Sequence, residues 1–116
     1  MKIVSNRQRK VAEGIKQLIS NMLIHELTDP RIGFVTVTDV EISADLKISR
    51  VFVAIPEAGK KETVLNGLQS AIPAIRRQIA NELNLRFTPS LEFFYDETFE
   101  RGERIESLLA GLKKNK

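Results

Sequence analysis

The spacing of apolar residues changes period three times along this chain, and the order of those periods leaves few folds open. Val11, Ile15, Leu18 and Met22, with Ile19, Leu23 and Leu27, recur at steps of three and four. That spacing makes one stripe on an amphipathic helix. From Phe34 to Ile55 the apolar residues alternate and β-branched types dominate, as strands prefer. Helical spacing returns at Val64, Leu65, Leu68 and Ala71 and continues through Ile75, Ile79 and Leu83. Alternation returns once more at Leu91, Phe93 and Tyr95.

Local signals set the boundaries. Ser5 and Gln8 have the spacing of a capping box, in which each side chain closes an open backbone N–H of the other. Pro30 disfavours helical geometry at Asp29, so the first helix stops before it. Within Phe34–Ile42, Val35 and Val37 share one parity while Val40 and Ile42 share the other, which predicts a bulge near Thr38–Asp39. Ser43 to Lys47 turns the chain into a second strand, Ile48–Ile55, and the two strands form an antiparallel hairpin.

Pro73 interrupts the second helical stretch. Proline donates no backbone hydrogen bond and crowds the residue before it. The simplest expectation is two helices meeting at a kink formed by Ala71, Ile72 and Pro73, with Pro73 in the first turn of the second helix. A third strand follows at Leu91–Tyr95, and Ile105, Leu108, Leu109 and Leu112 suggest a short C-terminal helix. The result is an α+β chain of order αββααβ, its helices packed on one face of a small three-stranded sheet. That is the order of a type II KH-like domain. A single domain over residues 1–112, with a basic flexible tail at 113–116, is expected from 116 residues and the absence of any linker or repeat.

Composition removes several function classes. At 42% apolar residues the chain supports one core, and a domain of this size buries roughly two-thirds of its unfolded surface. It has no cysteine, so disulfides and thiolate metal sites are excluded. No apolar run is long enough to span a bilayer, and MKIVSNRQRK lacks the apolar core of a secretory signal. The expectation is a soluble cytoplasmic monomer. His25 is the lone histidine and has neither a nucleophile nor metal-ligand spacing around it. The carboxylates at Asp96, Glu97, Glu100 and Glu103 read as a solvated rim rather than an acid–base pair. There is no phosphate-loop or dinucleotide fingerprint. No enzyme, cofactor, metal or small-molecule substrate is expected.

The charges are segregated. Arg7, Arg9, Lys10 and Lys16, with Lys2, make the first sixteen residues basic, and the stretch from Glu92 to Glu106 is acidic. A basic face attracts a polyanion even when the net charge is only +3. At the expected kink a second helix start would offer free N–H groups to phosphate. Arg76 and Arg77 follow one turn on, and Arg86 stands beyond the helix with Phe87 as a candidate stacking ring. The plain alternative puts Arg76 and Arg77 on a solvated face and Phe87, by preference, in the core. Asp29 reads as a cap, and Arg31 as either an ion-pair partner or an RNA contact.

Three segments carry a family resemblance: DPRIGFVTVTDV at 29–40, LRFTPSLEFFYDET at 85–98, and Glu100-Arg101-Gly102 with Arg104-Ile105. The basic first helix and the hairpin holding Ser43-Ala44-Asp45-Leu46 belong to the same pattern. Over nearly its whole length the chain resembles the ribosome-binding factor A family. The resemblance implies a type II KH fold and a factor that binds free or immature 30S subunits near the neck through 16S rRNA. It also implies a link to 16S 5′-end processing and to growth in the cold, and departure before translation. The family kink is Ala-x-Gly; this chain has Ala71-Ile72-Pro73. The rival readings are a KH-like binder of a different RNA and a protein-interaction adaptor.

Overall fold

The computed structural model describes residues 4–97. The elements run α1 (Asn6–His25), β1 (Thr36–Ile42), β2 (Ile48–Ala54), a 3-10 turn at Ala58–Lys60, α2 (Lys61–Glu82) and β3 (Ser90–Tyr95). The sheet order is β1-β2-β3, with β1 antiparallel and β3 parallel to β2. A parallel neighbour needs a long crossover, and α2 supplies it. α1 lies over β1 and α2 over β3, and the two helices touch.

The expected capping box is present: Gln8 N donates to Ser5 Oγ, and Ser5 N donates to Gln8 Oε1, both at 3.0 Å. α1 ends before Pro30, at His25. The bulge falls where the parity break puts it, with the register shifting between Val37 and Asp39. The extra residue, Thr38, donates its hydroxyl to Asp96 and to the Phe52 carbonyl, so the irregularity also ties β1 to the end of β3. It lets Val37, Val40 and Ile42 all face the core, where they meet Val51, Val53 and Leu91 from the other strands and Ile15, Ile19, Leu68, Ile75 and Ile79 from the helices. Ile15, Ile19, Leu68, Ile75, Ile79, Val51 and Val53 are fully buried. Each such side chain contributes about 1.5–3 kcal/mol over its exposed state. Among the described residues no helix covers the opposite sheet face, which carries Phe52 stacked on Phe94 at 5.6 Å between centroids.

Two expectations need correction. The helix pair meeting at Ala71, Ile72 and Pro73 is instead one helix, Lys61–Glu82, with Pro73 inside it. The buried stripe explains this: Val64, Leu68, Ile75 and Ile79 continue across the proline in one phase. The lost hydrogen bond leaves the Gln69 carbonyl open, and both Gln69 and Pro73 are exposed, so water can satisfy it. No second helix start is opened there. β1 begins at Thr36 rather than Phe34. Gly33, at φ 53°, turns the chain, and Phe34 projects outward at 89% exposure. The C-terminal helix expected around Ile105–Leu112 and the tail at 113–116 lie outside the described residues.

Candidate nucleic-acid interface

One end of the two layers gathers Arg7, Arg9, Lys10 and Arg86 of the cations singled out from sequence. Gln8 Nε2 donates to the Ile42 carbonyl at 3.0 Å, which sets the start of α1 beside the end of β1. Ser90 N donates to the Lys47 carbonyl at 2.9 Å, which brings the β1–β2 turn against the start of β3. The end of α2 completes the group: Arg7, Arg9 and Lys10 share a surface groove of about 700 Å³ with Leu83, Asn84 and Leu85.

The first turns of α1 are electrostatically odd. The N-terminal end of a helix carries a partial positive charge, and acids there normally stabilise it. This first turn holds no acid. Arg7, Arg9 and Lys10 are all exposed, and each cation placed there forgoes about 0.3–1 kcal/mol relative to an acid. Arg9 donates to Asn6 Oδ1 at 3.0 Å. Such a local conflict is most simply relieved by an incoming anion. Lys16, one to two turns on, is half-buried.

Arg86 and Phe87 follow the groove. Phe87 is 55% exposed, so the ring is on the surface and not in the core. Lys47 Nζ stands 5.2 Å from its centroid and the Arg86 guanidinium 5.6 Å. Lys47 went unnoticed in the sequence because a lone lysine in a polar turn carries no signal. Only the parallel register that sets Ile48 opposite Ser90 brings it to Phe87. Asp45, in the same turn, accepts from Ser43 Oγ at 2.7 Å and from Lys47 N at 3.0 Å. These bonds hold its carboxyl below the usual range, the Ser43 hydroxyl contributing most.

The two α2 arginines differ. Arg76 is committed internally, donating through Nε to the Pro89 carbonyl at 3.0 Å and through Nη2 to the Thr88 carbonyl at 2.9 Å. Arg77 is exposed. Arg31 stands at the other end of the layers, where residues 30–34 meet Ile55, Pro56 and the start of α2. Its guanidinium forks onto Asp29, with Nη2 to Oδ2 at 2.6 Å and Nε to Oδ1 at 3.0 Å. Asp29 also accepts from Arg31 N at 2.9 Å, so it caps this turn. The Arg31 side chain, then its backbone N–H, lowers the Asp29 pKa to about 2, and the same hydrogen bonding raises that of Arg31. Among the described residues, no group of acids and histidine is placed to hold a metal ion, and no helix is long and apolar enough to cross a membrane.

Comparison with known proteins identifies the fold and the family. The family profile described as Ribosome-binding factor A matches residues 7–109. A Geobacter metallireducens protein named Ribosome-binding factor A is 44% identical over 104 residues, covering 89% of this chain and 88% of that one. The crystal structure of ribosome-binding factor A from Thermus thermophilus superposes with a TM-score of 0.68 at 26% identity, over 76% of this chain and 94% of that one. Coordinates of the Thermus thermophilus factor fitted into a cryo-EM map of a 30S complex match with a TM-score of 0.57 at 28% identity, over 72% of this chain and 88% of that one.

Proposed function

The chain belongs to the ribosome-binding factor A family, and from that premise we propose that it is an assembly factor for the small ribosomal subunit. It binds free or immature 30S particles through 16S rRNA, assists late maturation and 5′-end processing, and does so in the cytoplasm as a monomer without catalysing a reaction. One observation carries the RNA-facing part of this reading. Arg7, Arg9 and Lys10 crowd a helix start that holds no acid, over a groove shared with the end of α2. Lys47 and Arg86 extend the same end of the domain.

The role needs no bond made or broken. A protein that binds one rRNA conformation better than another shifts the population by its differential affinity. Phosphate contacts supply affinity and make it salt-dependent, while the shape of the particle supplies selectivity. Arg77 and Lys16 are peripheral contacts in this scheme. Arg31, at the far end, serves a second contact only if it exchanges Asp29 for phosphate. The residues at Ala71–Pro73 act through the local shape of α2, with no free helix start.

Co-sedimentation with purified small subunits tests the reading. The triple variant Arg7→Gln, Arg9→Gln, Lys10→Gln is expected to bind more weakly. Each phosphate that is no longer neutralised reduces the slope of log K against log salt by roughly 0.7–0.9. Unchanged affinity and slope would remove this end of the domain from the interface. Enrichment of an RNA other than 16S in a pull-down would favour a KH-like binder with a different target.

A further inference from the structure

Phe87 is an exposed ring on a loop that is anything but loose. Arg76 holds the carbonyls of Thr88 and Pro89. Pro89 is fully buried. Ser90 N donates to the Lys47 carbonyl at 2.9 Å, and Lys47 N donates back into its own turn, to Asp45 Oδ1 at 3.0 Å. The backbone on both sides of the Phe87–Lys47 pair is therefore tied down, yet the ring remains 55% exposed with two cations beside it. Among the described residues, this phenylalanine in a well anchored segment exposes apolar surface whose only ring contacts are those two cations.

Resting on the function proposed above, we infer that Phe87, Lys47 and Arg86 form a stacking site for one unpaired RNA base. The ring takes the face of the base, as aromatic platforms for single strands do. A cation now over the ring moves off its face and meets the phosphate that arrives with that base. A nucleotide would replace a weak surface cation–ring contact with stacking plus a charge-assisted phosphate contact. A base inside a duplex cannot present its face, so the site selects unpaired nucleotides and tolerates any of the four bases. The site gives the proposed interface a way to distinguish open from paired rRNA.

The chain has no tryptophan, so Phe87→Trp places a single indole reporter at the site. The probes are a single-stranded octa-adenylate RNA and a blunt RNA duplex of the same length. Saturable quenching of the indole by the single strand, and not by the duplex, is expected. Phe87→Leu is expected to weaken octamer binding about tenfold, with affinity restored in Phe87→Tyr. Equal quenching by both RNAs, no quenching, or full affinity in Phe87→Leu would overturn the site. Co-sedimentation of the wild-type chain with small subunits, run in parallel, separates the two readings. A chain that pellets with subunits but shows no stacking defeats this site alone. A chain that stacks on the octamer but ignores subunits upholds the site and defeats the ribosomal reading alone.

Discussion

Two helical glycines in this domain predict opposite outcomes for the same substitution. A Cβ added at Gly67 of α2 would lie 2.9 Å from Ile32 Cγ1 and 3.2 Å from Arg31 Cβ. Ile32 is buried and close to the branch of its own side chain at that contact, so the 29–33 segment must move off α2 as a unit. Glycine to alanine in a helix interior contributes about 0.8–1.0 kcal/mol of favourable propensity. Overpacking a close contact costs about 1–3 kcal/mol, and partial loss of Ile32 burial adds to it. The steric effect wins, and Gly67→Ala is expected to destabilise the domain by about 1–2 kcal/mol. At Gly14 of α1 the nearest atoms are Leu83 Cδ2 at 3.3 Å and Cδ1 at 3.6 Å, the free end of a side chain that can rotate away. There propensity wins, and Gly14→Ala is expected to stabilise by about 0.5–1 kcal/mol. Urea unfolding of both variants, read as midpoint shifts at constant m, measures the signs. Stabilisation by Gly67→Ala would refute the close approach of the Arg31 segment to α2. Destabilisation by Gly14→Ala would refute the idea that Leu83 yields.

Ser49 is fully buried on the core face of β2, and its hydroxyl has no hydrogen-bond partner among the described residues; Ser49→Ala is expected to raise stability by about 1 kcal/mol in the same assay. Asp29 has its pKa lowered from 3.8 to about 2, so its ion pair stabilises the fold above the ordinary carboxylate pKa and loses that contribution as pH falls toward 2. The gap in urea midpoint between wild type and Asp29→Asn is therefore expected to close between about pH 4 and pH 2, and a gap that stays constant would place the effect elsewhere. Pro73→Ala restores a donor to the Gln69 carbonyl, and hydrogen exchange together with unfolding should show α2 more stable by about 1–3 kcal/mol. If small-subunit binding falls while stability rises, the local shape at Pro73 serves binding; unchanged binding would assign it none.

Much of this fold is written in local chemistry. The capping box at Ser5 and Gln8, the parity break that forces a bulge at Thr38, and the alternation of Val51, Val53 and Ile55 each depend on residues a few positions apart. Period and capping report such neighbours directly. Pro73 misled for an instructive reason. Its local cost is real, but Ile75 and Ile79 bury in phase with Val64 and Leu68, and that shared burial outweighs one missing hydrogen bond whose carbonyl faces water.

By itself the sequence determined the α+β layering, the alternation of helical and strand segments, the cationic start of α1 and membership of a family, because each is a property of spacing, charge or resemblance along the chain. The tertiary structure alone decided which of those cations keep company. Parallel pairing of β2 with β3 brought Lys47 to Phe87 from a distant part of the chain. Crossover packing set the exposed Arg76 onto the Thr88 and Pro89 carbonyls, and a fork onto Asp29 occupied Arg31. Whether a surface charge is available to a ligand depends on what the folded chain sets beside it, and neighbours brought together over that range leave no periodic trace in the order of residues.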